Sequence, residues 1–164
     1  MKKVLTLAVL AFGLTITGCG SSNDATDDST KEATSPKTTF KGEYTVDADY
    51  VKNNLDDIIL IDARGDDAAK KGTVKKAVPM AWQYLADVES GASGDENWGL
   101  VLEPKKLAER LGDKGIDKDK EVVLFASAQD GWGDDGRIAW ELLAAGYKDV
   151  KMVDGGFSAL KMPE

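Results

Sequence analysis

The sequence predicts an α/β domain with a central, mainly parallel sheet flanked by helices, and three observations carry that expectation. Two short runs of consecutive apolar residues, 58–61 (Ile-Ile-Leu-Ile) and 122–125 (Val-Val-Leu-Phe), have the look of strands covered on both faces. Between and after them, apolar residues recur at helical spacing: Leu107, Ala108 and Leu111, then Ile138, Leu142 and Ala145. Short strands alternating with helices build a parallel sheet, because each crossover must return the chain to the same end.

Taken in order, residues 44–46 (Tyr-Thr-Val) form a short first strand. Asp47 caps a helix that runs to about Leu55, with Ala48, Val51 and Leu55 along one face. The run 58–61 follows as a buried strand. Residues 77–80 make another, which Pro79 confines to an edge or an end because it has no N–H to give a neighbour. Residues 90–97 are a polar, glycine-bearing loop, and Pro104 opens the helix whose inner face holds Leu107, Ala108 and Leu111. After the strand 122–125 comes a long turn, 126–136, rich in glycine and aspartate. Helix 137–145 then ends where Gly146 supplies a left-handed cap, and residues 150–153 make the last strand. Trp82, Trp98, Trp132 and Trp140 are expected as core or loop anchors, since no basic groove accompanies them.

Composition sets limits on function. With 164 residues, 42% hydrophobic and 30% charged, the chain holds one globular domain, residues 40–164, plus some non-globular sequence. A net charge of -8 argues against nucleic acid as a partner. The chain contains no histidine, which removes the usual general base and the commonest metal ligand. It has a single cysteine, so it forms no internal disulfide.

Residues 1–18 begin Met-Lys-Lys and continue with an apolar run shorter than the roughly 20 residues a spanning helix requires, the pattern of a cleaved export signal. Ile16-Thr17-Gly18-Cys19 resembles the lipobox of bacterial lipoproteins. The resemblance implies cleavage before Cys19, a diacylglycerol thioether on that sulfur with fatty acyl chains of the palmitate kind, and anchorage on the extracytoplasmic side of the cell membrane. Residues 19–39 are rich in Ser, Thr and Asp and hold no large apolar side chain, so they read as a disordered tether. A coil of that length spans on the order of 25 Å.

Three segments resemble the rhodanese (sulfurtransferase) family. They are Leu60-Ile61-Asp62-Ala63-Arg64; the strand 122–125 with, after a loop, Gly136-Arg137-Ile138-Ala139-Trp140-Glu141-Leu142-Leu143; and Gly146-Tyr147-Lys148-Asp149-Val150 followed by Val153-Asp154-Gly155-Gly156-Phe157. The resemblance implies the three-layer rhodanese-like fold. It also implies persulfide chemistry on a cysteine at the end of the strand 122–125, fed by a donor such as thiosulfate, with no cofactor. Here that position is Ala126, followed by Ser127. The loop is longer than the family's compact one and carries Asp130, Asp134 and Asp135 ahead of Arg137. Asp134 or Asp135 is expected to cap the following helix with its own carboxylate, competing with an anionic donor. The aspartates do not follow the alternating spacing of a calcium loop, so no metal is expected. Ser127 as a hydrolytic nucleophile lacks a base.

From the residues alone, Asp62 and Arg64 read as structural ties at a strand end. Asp154, Gly155 and Gly156 read as an architectural turn against which the next helix packs. The expected function is that of a non-catalytic rhodanese-type domain in an exported, lipid-anchored protein linked to sulfur transfer, with a second rhodanese domain as partner. The alternative is a single-domain surface lipoprotein that binds a partner or small ligand at the remnant cleft above Ala126, lined by Ser127 and Trp132.

Overall fold

A computed structural model describes residues 41–128 and 131–161. The expected signal, tether and lipidation site at Cys19, and also Asp130, lie outside the described residues. The chain runs β1 (Thr45–Val46), α1 (Ala48–Asn54), β2 (Ile59–Asp62), α2 (Asp66–Ala69), β3 (Val78–Pro79), a 3₁₀ turn (Trp82–Leu85), and β4 (Ala86–Asp87). It continues with β5 (Leu100–Val101), α3 (Pro104–Asp113), β6 (Val122–Phe125), α4 (Asp134–Ala144), β7 (Val150–Val153) and α5 (Gly156–Leu160). Five strands form one sheet in the order β1-β7-β6-β2-β3, and all its neighbours pair in parallel. This is the α/β architecture the apolar runs predict.

The two runs lie side by side at the sheet's centre, with Ile61 opposite Leu124 and Asp62 opposite Phe125. Strand alternation sends their side chains to two cores. Ile61, Val122, Leu124 and Val150 pack with Leu107 and Leu111 of α3 and Ile138 and Leu142 of α4. Leu60, Val123, Phe125 and Val153 pack with Val51 of α1 and Leu160 of α5. Every residue of β6 is fully buried, which at about 25 cal/mol per Å² makes this strand a principal source of hydrophobic stabilisation. Pro79 sits in β3, the edge strand, where its missing N–H costs no ladder bond.

Helix ends follow local chemistry. Asp47 accepts the Tyr50 N–H at 2.7 Å as the N-cap of α1. At the end of α4, Gly146 adopts φ 90°. There the Gly146 and Tyr147 N–H groups donate to the carbonyls of Leu143 and Leu142, both at 3.0 Å, the paired bonds of a Schellman close.

Several expectations shift. Helix α4 begins a turn earlier than residue 137, at Asp134, and neither Asp134 nor Asp135 caps it. The N-cap is Gly133 in the left-handed region, φ 78°; Asp135 instead accepts the neighbouring Gly136 N–H at 2.9 Å. A cap stands just outside the helix, and the early start places both aspartates inside the first turn. Ala108 is exposed on α3 rather than inward, because the inner stripe needs only Leu107 and Leu111. Trp132 is 99% exposed and Trp140 56%, so neither anchors a core. The polar stretch 90–97 links an antiparallel pair, β4 and β5, which no apolar run announced.

Candidate functional site

The C-terminal ends of β2, β6 and β7 converge on one edge of the sheet, where open α/β sheets gather their ligand loops. Ala126 follows β6 directly and is 3% exposed. Its carbonyl accepts the Phe157 N–H at 2.7 Å, and the Ser127 carbonyl accepts the Ser158 N–H at 3.2 Å and the Ser158 hydroxyl at 3.1 Å. Helix α5 is therefore seated on the segment that follows β6. Gly156 makes the approach possible: a Cβ there would stand 2.8 Å from the Ala126 carbonyl oxygen, at φ +57°. Gly155, at φ 77°, completes the turn. Asp154 is exposed beside it.

Asp62 and Arg64 form a closed set of bonds. The Arg64 guanidinium donates from Nε to Asp62 Oδ1 at 2.8 Å and from Nη2 to Oδ2 at 2.7 Å. Oδ2 also receives the Thr73 hydroxyl at 2.6 Å, and Oδ1 the Arg64 backbone N–H at 3.2 Å. Nη2 reaches on to the Gly72 carbonyl at 2.9 Å. The guanidinium lies 3.6 Å from the centre of the Phe157 ring, which itself stacks on Phe125. The carboxylate is fully buried with four donors on it, and the pair ties β2, the 72–73 segment and α5 together.

A hollow of about 180 Å³ lies beside this edge, lined by Thr45, Gly131, Gly133, Asp135, Val153 and Asp154 among others. Ala126, Ser127 and Trp132 are not among its walls. Burial, with Asp135 next to it, pushes the Asp134 carboxyl above its usual range. Ser127 is exposed, and the chain holds no histidine to serve as its base. Among the described residues no group of three or more acidic, histidine or cysteine side chains is placed to hold a metal.

Arg137 turns to different partners. It donates from Nε to Glu141 Oε1 at 2.6 Å and from Nη2 to the Gly99 carbonyl at 2.8 Å, with Trp82 and Trp140 against its guanidinium at 5.4 and 5.7 Å. Glu141, unremarked among the candidate residues, is fully buried, and its Oε2 has no hydrogen-bond partner. Burial pushes its carboxyl up, while the bond from Arg137 pulls it down, and burial prevails. One sign of it was present in the sequence. Glu141 stands three residues after Ile138, on the face that carries the inward apolar residues.

The family model described as "Rhodanese-like domain" matches residues 47–162. A search of curated proteins finds no match. Among solved structures, the 3-mercaptopyruvate sulfotransferase SseA of Escherichia coli aligns with a TM-score of 0.60 at 21% identity, over 73% of this chain and 49% of that one. The 3-mercaptopyruvate sulfurtransferase of Leishmania major aligns with a TM-score of 0.58 at 18% identity, over 77% of this chain and 36% of that one. The BH2092 protein of Bacillus halodurans aligns with a TM-score of 0.52 at 15% identity, covering 73% and 72%. At these identities the likeness is one of fold. The chain spans about half or less of the length of the two transferases it resembles.

Proposed function

The chain belongs to the rhodanese-like domain family, and from that premise we propose that it is a non-catalytic member, exported and lipid-anchored, linked to sulfur transfer through a second rhodanese domain. The observation that carries this is the residue after β6. Persulfide chemistry requires a thiolate there, and the position is Ala126, 3% exposed beneath α5. The only cysteine in the chain is Cys19, at the end of the lipobox-like Ile16-Thr17-Gly18. Its place supports an acyl anchor rather than a nucleophile. The loop after Ala126 adds Asp134 and Asp135 at the N-terminus of α4, where carboxylates oppose an anionic sulfur donor. Coverage of about half of a longer sulfurtransferase is consistent with a partner domain that supplies the thiol.

The test is thiocyanate production from thiosulfate and cyanide. The full chain should give none, and Ala126→Cys should stay close to that level, because a thiol there is buried under α5. Turnover by the unaltered chain would overturn the reading. Anchorage is tested separately: Cys19→Ala should leave unprocessed precursor, and intact mass should show acyl chains on the mature protein.

A further inference from the structure

The largest cavity among the described residues is a groove of about 570 Å³ between α3 and α4, away from the strand-end loops. Buried Leu107, Leu111 and Tyr147 form its apolar inner wall, and the Tyr147 hydroxyl is engaged, donating to the Ile116 carbonyl at 2.9 Å. On the α3 side the exposed lining is Pro104, Ala108 and Gly112, spaced four apart and therefore on one helix face. None of the three carries a long side chain, so that wall leaves room for an incoming group. On the α4 side the exposed lining residue is Ala144, and Trp140, one turn before it, is 56% exposed. We propose that this face is where two copies of the chain associate as a two-fold dimer, with Trp140 of each copy seated in the groove of the other.

A projecting group beside a recess is what such a contact requires. In a two-fold dimer both copies present the same patch, so each must supply a knob and a hole. The knob is held in place: the Arg137 guanidinium lies 5.7 Å from the Trp140 ring and is fixed by its bonds to Glu141 and to the Gly99 carbonyl. A side chain ordered before contact loses less entropy on binding, and Trp and Arg are among the residues that most often carry interface energy. Charge also favours a second copy at this face. With a net charge of -8, two copies repel one another over an average stretch of surface. Here the charges balance: Lys105 pairs with Glu109 on α3, Arg137 pairs with Glu141 on α4, and the exposed charged residues of the groove lining, Asp117 and Lys118, have opposite signs. The extent of the face sets the strength. Two helices of this length side by side cover about 15 by 20 Å, which is less than the roughly 800 Å² per partner of a stable complex. The dimer is therefore weak, with a Kd on the order of 100 µM.

The experiment follows the full chain by light scattering and amide NMR from about 10 µM to about 1 mM, in excess detergent so that residues 1–18 and any acyl group on Cys19 are kept apart. The mass should rise toward that of a dimer with concentration, and the amides of residues 104–112 and 140–145 should shift with it. Trp140→Ala removes the knob and Ala108→Trp fills the hole. Each should weaken association by about tenfold or more. The melting temperature should stay within about 3 °C of the parent in both, since both positions are exposed. Trp132→Ala, at the 99% exposed tryptophan on the loop before α4, should leave association unchanged. A chain still monomeric near the highest concentration, association that survives both face variants, or equal weakening by Trp132→Ala would each overturn the proposal. Groove amides that respond to added detergent while the mass stays that of a monomer would put an apolar chain in the groove instead of a second copy, and would overturn it as well.

Discussion

Two buried carboxylate–arginine pairs stand in this domain, and they differ in how completely they are closed. Asp62 and Arg64 sit at a strand end with bonds on both carboxylate oxygens, and the arginine side chain is 11% exposed. Glu141 and Arg137 sit on α4 with one oxygen bonded and one orphaned, and the arginine side chain is 38% exposed. Charge type and burial of the acid are the same. The difference lies in the number of donors that other segments deliver: Thr73, with the guanidinium and backbone of Arg64, for Asp62, and Arg137 alone for Glu141. A closed pair acts as a structural tie, whereas an open one leaves a buried oxygen unsatisfied.

The largest effect should come from opening the closed pair. Asp62→Ala leaves a mostly buried guanidinium without its anion and should cost about 3–5 kcal/mol, lowering the melting temperature by roughly 10–20 °C. A loss below about 1 kcal/mol in thermal or urea unfolding would remove the pair from the role of tie. Next in size is Gly156→Ala, which pushes a Cβ against the Ala126 carbonyl, tilts α5 and draws Phe157 away from Arg64. About 2 kcal/mol of destabilisation is expected. A variant as stable as the parent would mean that α5 can move off the loop freely.

The open pair should respond in the opposite sense. Glu141→Leu removes an oxygen that has no partner, and Arg137 keeps its bond to Gly99, so stability at neutral pH should change by no more than about 1 kcal/mol. A loss of the size expected for Asp62→Ala would erase the contrast between the two pairs. The smallest effect is a pH dependence. Burial raises the folded-state value of Glu141 above its ordinary 4.5, with Arg137 opposing it only in part. Its contribution is therefore fully present below about that ordinary value and is lost as pH rises through the folded one, because the unfolded chain releases the proton first. The stability difference between the parent and Glu141→Gln should accordingly move against the parent between mildly acid and neutral pH. A difference that is flat with pH, measured by urea unfolding across that window, would show that Arg137 fully offsets the burial.

Features that depend on near neighbours were legible in the residues alone. The runs 58–61 and 122–125 had to be central strands, because only strands covered on both faces tolerate uninterrupted apolar residues; they form the adjacent β2 and β6, the first displaced by one residue. Asp47 as a cap, Gly146 as a left-handed close and Pro79 on an edge each follow from the chemistry of one residue and its immediate backbone. The spacing of Asp62 and Arg64 at a strand end also brought the two within reach of each other. Tertiary structure decided which polar groups would be satisfied, because the partners come from distant segments. The early start of α4 displaced Asp134 and Asp135 from the cap, and Trp132 was left in solvent on the loop before it. The pairing of β4 with β5 carried Gly99 to Arg137 and set Trp82 beside its guanidinium. The burial of Glu141 with one oxygen unpaired was settled in the same way, since a helical pattern shows which face a carboxylate occupies but not how many donors the opposing elements will bring to it.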